Sequence, residues 1–168
     1  MNILALDLST KSSGWAIFED GELKSHGCIT ASSTDLIKRI YKMKDELNKI
    51  INDNNINKII TEEVRPEGGY GVGNLKTHRA LMWLQAAIAF MIFDNHNSIE
   101  IDYIYPSSWR ATLGIKNGRG IKRMTLKEAD IEYVYNKYGI KVNDDEADAI
   151  CIGLAQYQKQ DNNEINWE

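Results

Sequence analysis

The sequence predicts an α/β domain on a mixed five-stranded sheet, an antiparallel meander continued by parallel strands and flanked by helices. Three observations predict it. The first thirty positions are short apolar runs separated by turn residues. After them, apolar runs of strand length alternate with stretches of helical periodicity. The 168 residues suffice for one hydrophobic core and fall short of two, so residues 1–168 form a single domain.

Residues 2–8 and 15–19 are the first two strands, separated by Ser9-Thr10-Lys11-Ser12-Ser13-Gly14, and Asp20-Gly21 turns the chain into a third, Glu22 to Thr30. From about Thr34 to Asp53, Leu36, Ile37, Ile40, Met43, Leu47, Ile50 and Ile51 follow the helical repeat, entered through Ser33 or Thr34 as N-cap. Asn57 to Glu62 is a fourth strand and Pro66 to Gly73 a glycine-rich loop. About Asn74 to Asp94 is a helix whose stretch Leu81 to Phe93 has Gln85 as its single polar residue. That stretch is shorter than the roughly 20 residues a membrane helix needs, so no membrane partner is expected. A helix apolar on all sides needs cover on more than one side, from its own domain or from a partner subunit. Ile99 to Tyr105 is the fifth strand, stopped by Pro106. Ser107 to Leu113 is a short helix, Gly114 to Gly120 a loop, and about Thr125 to Tyr138 a helix ended by Gly139. A last helix spans about Asp145 to Gln158, and the polar tail 160–168 is expected to fray.

The chain opens without a basic n-region, and its first apolar run is broken at Asp7, so no signal peptide is expected and the protein is placed in the cytoplasm. Cys28 and Cys151 have no partners at metal-ligand spacing, which excludes a zinc site and a disulfide framework and predicts two reduced thiols in the core. The net charge of −4 hides an uneven distribution. Between Pro106 and Lys127 stand Arg110, Lys116, Arg119, Lys122, Arg123 and Lys127 with no acid, whereas Asn143 to Glu168 carries a net −6. The first stretch suits phosphates and the second suits cations. Six positive charges without an acid among them are hard to neutralise internally, which favours nucleic-acid contact over a merely solvated face.

Asp7 shares side-chain parity with Ile3 and Ala5, so a carboxylate points where an apolar residue belongs. Burying it ionised costs several kcal/mol unless something positive meets it. Glu62 stands at the carboxyl end of the fourth strand, the edge where ligand crevices form in open α/β sheets. Asp145 and Asp148, three residues apart, share one face of the last helix. Oxygen donors without histidine or cysteine select Mg²⁺, or Mn²⁺ in its place, and a pair of such ions is a recurrent catalyst of phosphodiester hydrolysis. Each acid also has a plainer reading. Asp7 can cap the turn at Ser9, Glu62 or Glu63 can pair with Arg65, and the acids from Asp144 onward can simply favour a helix N-terminus. Glu63 would face the opposite side of its strand from Glu62, and Asp144 with Asp148 is a second one-face pair.

Leu6-Asp7-Leu8-Ser9-Thr10 with Gly14-Trp15-Ala16, then Thr61-Glu62-Glu63-Val64, and Asp145-Glu146-Ala147-Asp148-Ala149 resemble, in order and spacing, the motifs of the RuvC Holliday junction resolvases. Tyr105-Pro106-Ser107-Ser108-Trp109-Arg110 and the basic run to Lys127 resemble the stretch leading to that family's DNA-binding helix. The compact, asparagine- and lysine-rich chain is more similar to bacteriophage or low-GC bacterial members, which places it in a bacterial cytoplasm or an infected cell. The resemblance implies an RNase H-like fold and a homodimer that nicks paired strands of a four-way junction, leaving 5′-phosphate and 3′-hydroxyl ends. It implies Asp7, Glu62, Asp145 and Asp148 as catalytic ligands of two Mg²⁺ ions. The family's aromatic three residues after the glutamate is here Arg65, with Tyr70 nearby as a substitute, so forks and flaps join junctions as expected substrates. The alternative is a catalytically inactive RNase H-like protein that binds junctions or a replication partner. Gly68 to Gly73 lacks the G-x-G-x-x-G spacing, so no nucleotide cofactor is expected. Asp7-x-Ser9-Thr10 also looks like the phosphate-binding turn of actin and sugar-kinase ATPases, which need two such domains and do not fit in this length.

Overall fold

A computed structural model describes residues 1–64, 72–116 and 120–165, with the backbone alone described for 72–74 and 160–165. Strands β1 (Asn2–Asp7), β2 (Ser12–Glu19) and β3 (Glu22–Thr30) form the expected antiparallel meander. Helix α1 (Leu36–Asp53) leads to β4 (Lys58–Glu62), which lies parallel to β1. Helix α2 (Val72–Asn95) leads to β5 (Glu100–Ile104), parallel to β4, and α3 (Pro106–Thr112), α4 (Arg123–Tyr138) and α5 (Asp144–Ile165) follow. The sheet order is β3-β2-β1-β4-β5, so the first strand is central.

Alternation along the strands divides the core in two. Ile3 and Ala5 of β1, Ala16 and Phe18 of β2, and Ile60 of β4 pack with Trp109, Val134 and Ile150 of the α3–α5 layer. Leu4 and Leu6, Ile17 and Ile59 pack with Met43 and Leu47 of α1 and Leu84 and Ile88 of α2 on the other face. A central strand covered on both faces is apolar at every interior position, as β1 is from Ile3 to Leu6.

Several boundaries differ from the sequence reading, each for a local reason. β2 starts at Ser12 rather than residue 15, because Ser13 Oγ accepts from the Ser9 N–H at 2.9 Å and donates to the Ser9 carbonyl at 2.6 Å, closing a tighter turn. Asp35, not Ser33 or Thr34, caps α1, accepting from the N–H groups of Ile37 and Lys38 at 2.8 and 3.3 Å. Ser33 instead accepts from the Asp35 N–H. α5 continues past Gln158 to Ile165, into the segment expected to fray. Cys151 is buried, but Cys28 is only half-buried on β3, hydrogen-bonded to Asn143. Among the described residues α2 is covered on one side: Leu84, Ile88, Met91 and Ile92 are buried, while Phe90 and Phe93 are 70% and 75% exposed. Among the described residues no helix is long and apolar enough to cross a membrane.

Candidate active site

Asp7 and Glu62 end adjacent parallel strands. The last registered pair before them is Leu6 with Thr61, and the parity of Ala5 and Ile60 turns both carboxylates toward the α3–α5 layer. Glu63 falls past the strand end, its N–H bonded to the Ile104 carbonyl at 2.9 Å, on the opposite parity. Glu62 is steadied twice. Trp109, fully buried on α3, donates Nε1–H to Glu62 Oε1 at 2.7 Å, and Gln85 of α2 donates to the Glu62 carbonyl at 2.7 Å. The single polar residue of the apolar helix thus anchors the strand end that carries the glutamate.

α5 brings the other acids by lying directly on β2. A Cβ on Gly14, the residue paired with Asp7, would stand 1.9 Å from the Asp145 carbonyl oxygen, and one on Gly153 would stand 2.3 Å from the Phe18 ring. Both positions must be glycine for the helix to approach this closely. Asp145 accepts from Ser12 Oγ at 2.5 Å, while Asp144 is ion-paired to Lys127. Asp148 is buried, with Oδ1 lacking any hydrogen-bond partner among the described residues and lying 3.8 Å from Arg110.

The electrostatics show one cluster. Burial, then the charges of Glu62 and Asp145, push Asp7 up to about 7 despite Lys127 and Arg123 nearby. Burial, then the charges of Asp7 and Asp130, push Asp148 up to about 9. Burial also raises Glu62, against the opposing Trp109 hydrogen bond and the Arg110 charge. Asp7 therefore senses Glu62, Asp145 and Asp148. Among the described residues no three acidic, histidine or cysteine side chains are gathered closely enough to cage an ion. The donor chemistry nevertheless fits a hard cation: the acids are all-oxygen, mutually repelling, and include a buried carboxylate oxygen with no hydrogen bond among the described residues.

A cavity of about 570 Å³ opens over Asp7 and Glu62, walled by Thr77, His78 and Leu81 of α2 on one side and by Tyr105, Ser107 and Arg123 on the other. His78 was not singled out from sequence, because only the fold brings the start of α2 over the end of β1.

The basic stretch does not act as a unit. Arg110 is buried: its guanidinium makes a two-pronged pair with fully buried Asp130, with Nη2 to Oδ2 at 2.7 Å and Nε to Oδ2 at 3.1 Å, and it stacks 4.0 Å from the Trp109 ring centroid. It is thus not available to a phosphate, which corrects the expectation for this residue. Lys127 is likewise neutralised, by Asp144. Lys116, Lys122 and Arg123 are exposed, and Arg123 borders the cavity. Arg65, Tyr70 and Arg119 lie outside the described residues.

A mixed sheet with strand-end acids facing a C-terminal helix defines an RNase H-like domain. No family model matches the chain, and no curated protein matches it. Among solved structures it is similar to Thermus thermophilus RuvC in complex with a Holliday junction substrate, at TM-score 0.74 and 13% identity over 96% of this chain and 95% of that one. It is also similar to a second structure of T. thermophilus RuvC, at TM-score 0.70 and 15% identity over 97% of each chain. The yeast mitochondrial Holliday junction resolvase Ydc2 follows at TM-score 0.61 and 17% identity, over 98% of this chain and 82% of that one. The fold is that of the RuvC-type resolvases.

Proposed function

We propose that this chain is a divalent-metal-dependent nuclease that cuts branched DNA, with the four-way junction as its main substrate and forks and flaps as further ones. The observation that carries the reading is geometric: Asp7 and Glu62 at the ends of β1 and β4 face the layer from which α5 brings Asp145 and Asp148, and burial with mutual repulsion raises Asp7 and Asp148, a cost that a bound cation would offset. Asp7, Glu62, Asp145 and Asp148 would hold two Mg²⁺ ions, or Mn²⁺ in their place. Bound there, the ions would supply the charge that activates water and stabilises the leaving 3′ oxygen. Trp109 and Gln85 hold Glu62 in place, and Ser12 holds Asp145. Arg110 neutralises Asp130 beneath the cluster and makes only a longer ion pair, 3.8 Å, with Asp148. Arg123, with Lys116 and Lys122, faces the approaching phosphates. Arg65, Tyr70 and Arg119 complete the residues proposed to contact the DNA.

The exposed apolar side of α2 supports a homodimer, because Trp83, Phe90 and Phe93 need cover that their own domain does not provide. Two copies would place two cutting sites on one junction.

The test is cleavage of a synthetic four-way junction beside fork, flap and linear duplexes, with Mg²⁺ and with chelator. Metal-dependent nicking of branched DNA that Asp7→Asn lowers more than about 100-fold while binding persists supports the reading. Unimpaired cutting by Asp7→Asn would refute it, and binding by the wild type without cutting would leave a junction-binding protein.

A further inference from the structure

A second groove, of about 580 Å³, lies beside the acidic cavity. Its walls are Ser9, Thr10 and Lys11 of the β1–β2 turn, Thr34 and Arg39 at the start of α1, and Lys76 and Arg79 near the start of α2. It shares Thr77 and Leu81 with the acidic cavity, and its Ser9 follows that cavity's Leu8, so the two openings are continuous past the end of β1.

Among the described residues four cations and four hydroxyl side chains border this groove or the shared wall, and none of the described lining residues is an acid. None of the four cations is ion-paired among the described residues, in contrast to Arg110 and Lys127. Arg39 spends Nη1 on the carbonyls of Ser33 and Thr34, at 2.7 and 3.1 Å, and its buried Nε lacks a partner among the described residues. A guanidinium held by two carbonyls keeps its positive charge fixed at the groove wall. The turn is equally set: Ser13 holds Ser9 from below, and the Lys11 carbonyl accepts from the Ala31 N–H at 2.8 Å.

We infer that this groove binds the phosphates of the nucleic-acid strand that runs on from the acidic cavity, a second track on the opposite side of the cavity from Arg123. The inference rests on the reading of the chain as a branched-DNA nuclease. A backbone fits better than a free nucleotide because the cations are spread over three segments, and among the described residues no aromatic ring lines the groove to stack a base. The track would direct one arm of a branched substrate over β1 while the α4 side holds another.

The test measures binding of a labelled four-way junction across a salt series for wild type and for the double variant Lys11→Gln/Lys76→Gln, both exposed positions. Two lost phosphate contacts lower the slope of log affinity against log salt by about 2, while kcat at saturating junction is kept and KM rises. The comparison pair Lys137→Gln/Lys159→Gln, exposed in the last turn of α4 and the second half of α5, leaves the slope near wild type. An unchanged slope in the groove variant, or an equal loss in the comparison pair, overturns the proposal. So does ATP bound by the wild type and lost by the groove variant with junction binding intact, because the groove would then hold a free nucleotide. If the wild type binds neither branched nor linear DNA, the nuclease reading falls first and the strand track falls with it.

Discussion

At the scale of single residues, Asp7 links charge to stability. Its carboxyl is raised from an ordinary value near 3.8 to about 7. Between those values the folded chain binds more protons than the unfolded one, so stability falls as pH rises through the window. Asp7→Asn removes that penalty, and metal-free unfolding should show the variant more stable by about 1–3 kcal/mol at pH 8 and equal to wild type near pH 4. A variant less stable at both pH values would contradict the burial argument. Arg110 makes a second case. Arg110→Met leaves Asp130 buried without a counter-charge and should cost about 3–5 kcal/mol in denaturant unfolding, much of it recovered on adding Asp130→Asn. A phosphate contact would instead lower the salt slope of DNA binding and spare stability. Strand parity made Asp7 and Glu62 legible in the sequence, and it set Glu62 apart from Glu63. Arg110 was misread because its partner Asp130 sits on a later helix, beyond any count of charges along a short stretch.

At the scale of elements, α5 and α2 decide most. Gly14→Ala pushes a methyl group into the Asp145 backbone, so we expect a loss of at least about 1–3 kcal/mol, with cleavage falling together with the displaced helix. Unchanged melting and activity would show that α5 does not need this seat. Trp83→Glu and Phe90→Glu on the exposed side of α2 should yield a monomer in sedimentation at micromolar concentration, and a retained dimer would move the interface elsewhere. The periodicity of α1, the Asp20-Gly21 turn with both residues at positive φ, and the Gly139 stop to α4 were all readable locally. The early start of β2 and the Asp35 cap were not, because Ser9, Ser12, Ser13, Ser33, Thr34 and Asp35 all offer turn or cap chemistry and geometry chooses among them. An apolar helix gives no sign of which flank its own domain leaves open.

At the scale of the whole molecule, the acids should make metal affinity depend on pH. Protons compete with cations for raised carboxylates, so saturating Mg²⁺ should raise the melting temperature more at pH 8 than at pH 5. An equal rise at both would place the ion elsewhere. Architecture was legible at this scale because meander, alternation and motif order agree on one sheet. The Lys11–Arg79 groove was not, since its parts come from three distant segments. The central position of β1 also sets an order of assembly. During translation Asp7 and Glu62 leave the ribosome long before Asp145 and Asp148 exist, so a nascent chain carries half a cluster and gains the rest only when its final helix docks against Gly14.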